Sequence, residues 1–284
     1  MQETGNKKTM HTLSLVDEAF DINSTSEYYL SIRIGTNGFS FVVGDPVQKK
    51  TLVLFHQDLF INNSEIFLDK LKAVYSEMEM IRLPYKKTGI FYSIPEKTFL
   101  IPNEFHTEEK ANEIYSFQSE KSFNEKIILS ESPFFDNFIV FSIPESIFIF
   151  LKYKYPDTEI INDLVLTGIP QNKEESTFHV FISRQSIEIL LIDKGHIKFY
   201  NTFPYRNNND ILYSVIGSVR AMDKHPDIVY TDGYINKESD IFKLLSSYFK
   251  KVYISDDTKD KFTHLYTGTN DARFNRLYNS FSCE

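Results

Sequence analysis

Three extended apolar runs followed by one helical stripe occur twice in this chain, and that repeated order limits the fold more than any other feature. In the first half the runs are 28–34, 39–43 and 51–56. The turn between the first two holds Gly35, Thr36, Asn37 and Gly38, where Asn and Gly tolerate the backbone angles of a tight hairpin. Ile61, Phe67, Leu68, Leu71, Val74, Tyr75 and Met78 then fall near one helical face. In the second half the runs are 178–183, 187–192 and 197–203, with Arg184, Gln185 and Ser186 in one turn and Asp193, Lys194 and Gly195 in the next. Ile211, Leu212, Val215, Ile216, Val219 and Met222 form the second helical stripe. Hairpins first and helical crossovers later predict mixed sheets, hence an α/β chain of two domains.

The pattern continues past the helices. Residues 137–161 and 227–254 each offer a strand, a turn, an apolar segment and another strand. Ile147, Phe148, Ile149 and Phe150 are β-prone by residue type. Their counterpart at 241–245 reads as helix, so a helix is expected over 146–153. Residues 88–132 have no counterpart and read as two strands and a helix inserted into the first half. The stretch "PQNKEES" at 170–176, with Pro170 and three charges, reads as a linker. The expected domains are 12–172, with an insertion about 88–132, and 173–284, each with a five-stranded mixed sheet.

The segments "YYLSIRIGTNGFSFVV", "TFLIPNEF" and "RLYNSFSCE" resemble a bacterial family of uncharacterised proteins with the actin-like ATPase fold, over nearly all of 12–284. More distantly, the plan is similar to the pilus-assembly adaptor proteins. The resemblance implies two ribonuclease-H-like domains that clamp a nucleotide between their first hairpins. It also implies an acid in the first turn, which positions a magnesium ion and water, with backbone N–H groups cradling phosphates. Here Arg33 and Ile34 stand where that acid belongs, and Ser183, Arg184 and Gln185 form the second turn. The cleft positions are Gly35, Thr36, Asn37, Gly38, Arg184, Gln185, Asp232 and Gly233. Arg184 is expected to be solvated, and Asp232 with Gly233 to form an ordinary turn. No catalytic residue and no cofactor is assigned. The expectation is a non-catalytic scaffold or protein-binding adaptor with an unidentified protein partner. The alternative is a divergent nucleotide-binding ATPase or small-molecule kinase drawing its acid from Asp58, Asp193 or Asp232.

Other chemistry finds little support. A formal net charge of −8 without a long Lys/Arg block argues against nucleic acid. Cys283 is the single cysteine, so neither an intrachain disulfide nor a multi-cysteine zinc site can form, and no positioned base marks it as a nucleophile. The histidines at 11, 56, 106, 179, 196, 225 and 264 form no helical metal-binding pair, though His179 and His196 could be cross-strand neighbours. No Walker loop or nucleophile elbow is present, the turn at 266–271 reads as loop, and Asp256 and Asp257, adjacent after a strand, do not readily converge on one reacting group as a catalytic pair must. The longest apolar region is broken by Pro144 and Glu145, and the first 25 residues hold no apolar core of signal-peptide length, which predicts a soluble cytoplasmic protein and gives the sequons at Asn23 and Asn62 no meaning. Phe117, Phe123, Phe134, Phe135 and Phe138 lie in or near the insertion. They are expected to pack against the first domain, with an interaction surface as the alternative.

Overall fold

The computed structural model describes residues 12–59, 64–105, 107–119, 124–131, 137–167, 176–222, 226, 228–255 and 272–282. Cys283, Phe123, Phe134, Phe135, His11, His106, His225, His264, Asn62, the acids at 256 and 257 and the turn at 266–271 lie outside them. In chain order the first half runs β1 (Thr12–Val16), β2 (Tyr29–Gly35), β3 (Gly38–Asp45), β4 (Lys50–Gln57), α1 (Ser64–Glu77), β5 (Lys87–Ser93), β6 (Thr98–Pro102), α2 (Glu108–Gln118), β7 (Glu125–Glu131), β8 (Asn137–Pro144), α3 (Glu145–Lys154) and β9 (Ile160–Asn162). The second half runs β10 (Ser176–Ile182), β11 (Ser186–Asp193), β12 (His196–Pro204), α4 (Asn208–Ala221), β13 (Ile228–Gly233), α5 (Asp240–Tyr248), β14 (Lys251–Ile254) and α6 (Asn275–Asn279).

Both halves build a mixed sheet in the same order. The first reads β1-β4-β3-β2-β5-β9 and the second β12-β11-β10-β13-β14. In each, the three hairpin strands pair antiparallel and the later two join parallel. Apart from the edge strand β12, the hairpin strands are buried on both faces, so they read as continuous apolar runs rather than alternating ones. Asn207 and Asp210 close a capping box at the start of α4, satisfying N–H groups that have no helical partner.

Three expectations change. The first sheet has six strands, not five, because "TLSLV" alternates and pairs antiparallel with β4, turning Leu13 and Leu15 inward. Residues 87–93 are not inserted; β5 pairs in parallel with β2 at the centre of the sheet. Residues 137–144 are not the counterpart of β13, for β8 lies between β6 and β7 in a separate three-stranded sheet. Both stretches are apolar and β-prone, and only register against β2 decides which enters the main sheet. The helix expected over 146–153 forms as α3. β6, α2, β7 and β8 thus stand outside the main sheet and share a small core of Ile101, Ala111, Tyr115 and Val140. Phe138 packs partly buried against that core, whereas Phe117 is 89% exposed.

The halves share apolar packing. Leu190, Ile192 and Ile197 of the second sheet belong to the same core as Ile34, Phe39 and Tyr92 of the first. The end of the chain returns to the first half, where Phe274, Leu277, Tyr278 and Phe281 cover Val42 and Leu54. Burying such side chains contributes roughly 1.5–3 kcal/mol each.

Candidate functional site between the two sheets

The two hairpin turns meet each other. Asn37 Nδ2 donates to Ser183 Oγ at 3.2 Å, and the Arg184 backbone N–H donates to Asn37 Oδ1 at 3.4 Å. Gly35, Thr36, Asn37 and Gly38 are therefore brought against Arg184, while Gln185 points outward, exposed. The Thr36 N–H donates to the Ser93 carbonyl at 3.2 Å. Gly38 has φ +130°, and a Cβ there would stand 2.2 Å from the Gln57 carbonyl oxygen. Gly233, at φ +90°, closes β13 where a Cβ would stand 2.1 Å from the Ile182 carbonyl oxygen. Both glycines are required by neighbouring backbone.

Arg184 is not simply solvated. Its Nη2 donates to Asp58 Oδ2 at 2.7 Å, its Nε donates to the Tyr234 hydroxyl at 2.8 Å, and its guanidinium stands 5.1 Å from that ring's centroid. Arg273 stacks on the same ring at 5.4 Å. Behind Asp58, His56 Nε2 lies 3.1 Å from Asp58 Oδ1, and Ser40 Oγ lies 2.7 Å from His56 Nδ1. Burial holds His56 below the usual histidine range despite the opposing pull of Asp58. Neutral His56 therefore accepts from the Ser40 hydroxyl and donates its Nε2–H to Asp58.

A serine, a histidine and an aspartate in line suggest an acyl-transfer triad. Burial argues otherwise, because Ser40, His56 and Asp58 are 3%, 5% and 1% exposed. A nucleophile must reach its substrate. Here the relay instead fixes the carboxylate that Arg184 meets.

Deeper in, four charges from both halves converge. Arg33 Nε donates to Asp163 Oδ2 at 2.7 Å, in the short 3-10 turn after β9. Arg276 Nη1 lies 3.0 Å from both Glu188 oxygens and 3.6 Å from Asp163 Oδ1. The Arg33 and Arg276 guanidinium groups stand 5.6 Å and 4.2 Å from the centroid of Phe181. Burial pushes Glu188 up and Arg276 draws it partly back, while Glu188 and Asp163 outweigh burial and raise Arg276.

The remaining acids are occupied. Asp193 accepts from Ser176, and Asp232 Oδ1 accepts from Asn275 Nδ2 at 2.6 Å. His179 pairs across the sheet with Leu190 and Tyr230, so it is no neighbour of His196, which pairs with Asp193. It stacks on Tyr230 at 5.1 Å, and burial, with Arg276, lowers it to about 3. Among the described residues, no group of three or more His, Cys, Asp or Glu side chains is placed to hold a metal ion. No helix among them is long and apolar enough to cross a membrane. Asp163, Glu188 and Arg276 were not anticipated. The available signal was a lone charge inside an apolar strand, as in "SIEILLID" and "YLSIRIG".

Twin mixed sheets led by facing hairpins are the actin-like ATPase fold. A crystal structure from Bacteroides thetaiotaomicron, a protein with actin-like ATPase fold and unknown function, is similar over 93% of this chain and 99% of its own, at 20% identity and TM-score 0.77. The PilM-PilN type IV pilus biogenesis complex is similar over 90% of this chain and 96% of that one, at 9% identity and TM-score 0.56. The ethanolamine utilization protein EutJ from Carboxydothermus hydrogenoformans covers 90% of both chains at 9% identity and TM-score 0.50. The chain belongs to the family described as protein of unknown function (DUF3822), whose model matches residues 17–252. No curated protein matches it.

Proposed function

We propose that this chain is a non-catalytic, actin-like-fold adaptor that holds a protein partner without a nucleotide, and that its two halves arose by internal duplication. One observation carries the reading. The turns that would face a nucleotide instead hydrogen-bond to each other and to Asp58 through Asn37, Ser183 and Arg184. Phosphate would have to displace Asp58 from Arg184, with Arg33 standing where a magnesium-binding acid belongs. The matching strand order of the two sheets supports duplication, with the domain boundary near residue 172. The similarity to a protein seen in the PilM-PilN complex supports a protein partner. Chemistry by an ATPase or kinase needs a free carboxylate near the turns, and Asp58, Asp193 and Asp232 are each already engaged.

The test is affinity capture from native cell extract with and without Mg-ATP. One partner is expected, in equal amount under both conditions. A partner recruited or released by Mg-ATP would contradict the proposal.

A further inference from the structure

The halves meet through two layers of different character. In the inner layer Arg33, Asp163, Arg276 and Glu188 have side chains between 2% and 9% exposed. Beside them runs the apolar seam of Leu190, Ile192 and Ile197. In the outer layer the described contacts between the turns are polar: Asn37 with Ser183, Asn37 with the Arg184 backbone, and Arg184 with Asp58. Water can replace such contacts at small net cost, whereas parting the apolar seam exposes hydrocarbon.

Among the described contacts, the Arg184 side chain meets the first half through Asp58. Its side chain is 32% exposed, whereas that of Asp58 is 1% exposed. Tyr234, in the same half as Arg184, holds the guanidinium by hydrogen bond and by its ring. Lengthening the Asp58 contact therefore leaves Arg184 seated at home. On the other side, His56 and Ser40 keep Asp58 aimed outward.

We infer that the Arg184–Asp58 pair is a releasable latch: breaking it parts the turns at 35–38 and 183–186 while the inner layer keeps the halves together. This device does not rest on the adaptor reading. It operates whatever partner the chain takes.

Amide hydrogen exchange on the full chain tests it. Arg184→Gln is expected to speed exchange at 34–39 and 182–187 by about tenfold or more, with β5 and β13 unchanged. Salt at 1 M, where screening acts within about 3 Å, is expected to speed the same amides in the parent chain but not in Arg184→Gln. Unchanged rates at the turns would overturn the latch. So would acceleration across the whole chain, which would make Arg184 a general stabiliser. A second measurement works if exchange is too slow to read. Asn37→Cys with Ser183→Cys, in a Cys283→Ser background, is expected to close a disulfide about tenfold more slowly once Arg184→Gln is added. Equal closing rates would again overturn it.

Discussion

Arg276→Leu is expected to lower the unfolding free energy by about 3–5 kcal/mol, because it strips a buried ion pair of one partner. Glu188 and Asp163 would then face each other's charge, with Arg33, among the described residues, left beside Asp163. Adding Glu188→Leu removes the stranded charge, so the double variant is expected to recover most of the loss. The apolar pair can pack on Phe181, which the Arg276 guanidinium now covers. Urea unfolding of the two variants measures both values. A single-variant loss under about 1 kcal/mol, in the range of exposed pairs, would show that the network is solvated.

Stability is expected to fall as pH drops below 6.5, with His179 the main cause. The unfolded chain protonates this histidine near pH 6.5, whereas burial lowers it to about 3 in the folded chain. Between those values the unfolded state binds the extra proton, so stability is lost at about 1.4 kcal/mol per pH unit. His56, also lowered by burial, adds to the loss. Glu188, raised by burial, acts in the opposite sense because the folded state takes its proton first. Comparing variants separates the terms. Glutamine at 179 can still meet Thr177, whose hydroxyl now lies 3.1 Å from His179 Nε2, but does not titrate. From pH 6.5, where the unfolded histidine is already half protonated, to 4.5 the parent chain is expected to lose about 2 kcal/mol more than His179→Gln. Parallel stability profiles would mean that His179 protonates in the folded state.

The hairpins and crossover helices were legible because their signals are local. Apolar runs, Asn and Gly at one turn, and a 3.6-residue stripe each fit within about a dozen residues. The helix α3 was read against residue type, from its counterpart in the second half. Strand choice at long range was not legible, since β5 and β8 have the same apolar character and differ only in partners. The polar site was less legible still. Arg33 meets Asp163 across 130 residues and Arg276 meets Glu188 across 88, so nothing local links them. Arg33 was visible only as a cation in the acid's place. Arg184 drew notice as a cation in a turn, but its partner Asp58 comes from the other half, 126 residues away.

Asn37, Ser183, Arg184 and Asp58 bond to one another where the turns would face a nucleotide. Calorimetric titration with Mg-ATP, paired with a phosphate-release assay, tests most directly whether these contacts exclude one. The expected result is no binding tighter than about 1 mM and no phosphate release. Micromolar binding, worth about −8 kcal/mol and enough to displace the Arg184–Asp58 contact, would contradict that exclusion. Turnover abolished by Asp58→Asn, Asp193→Asn or Asp232→Asn would contradict it as well.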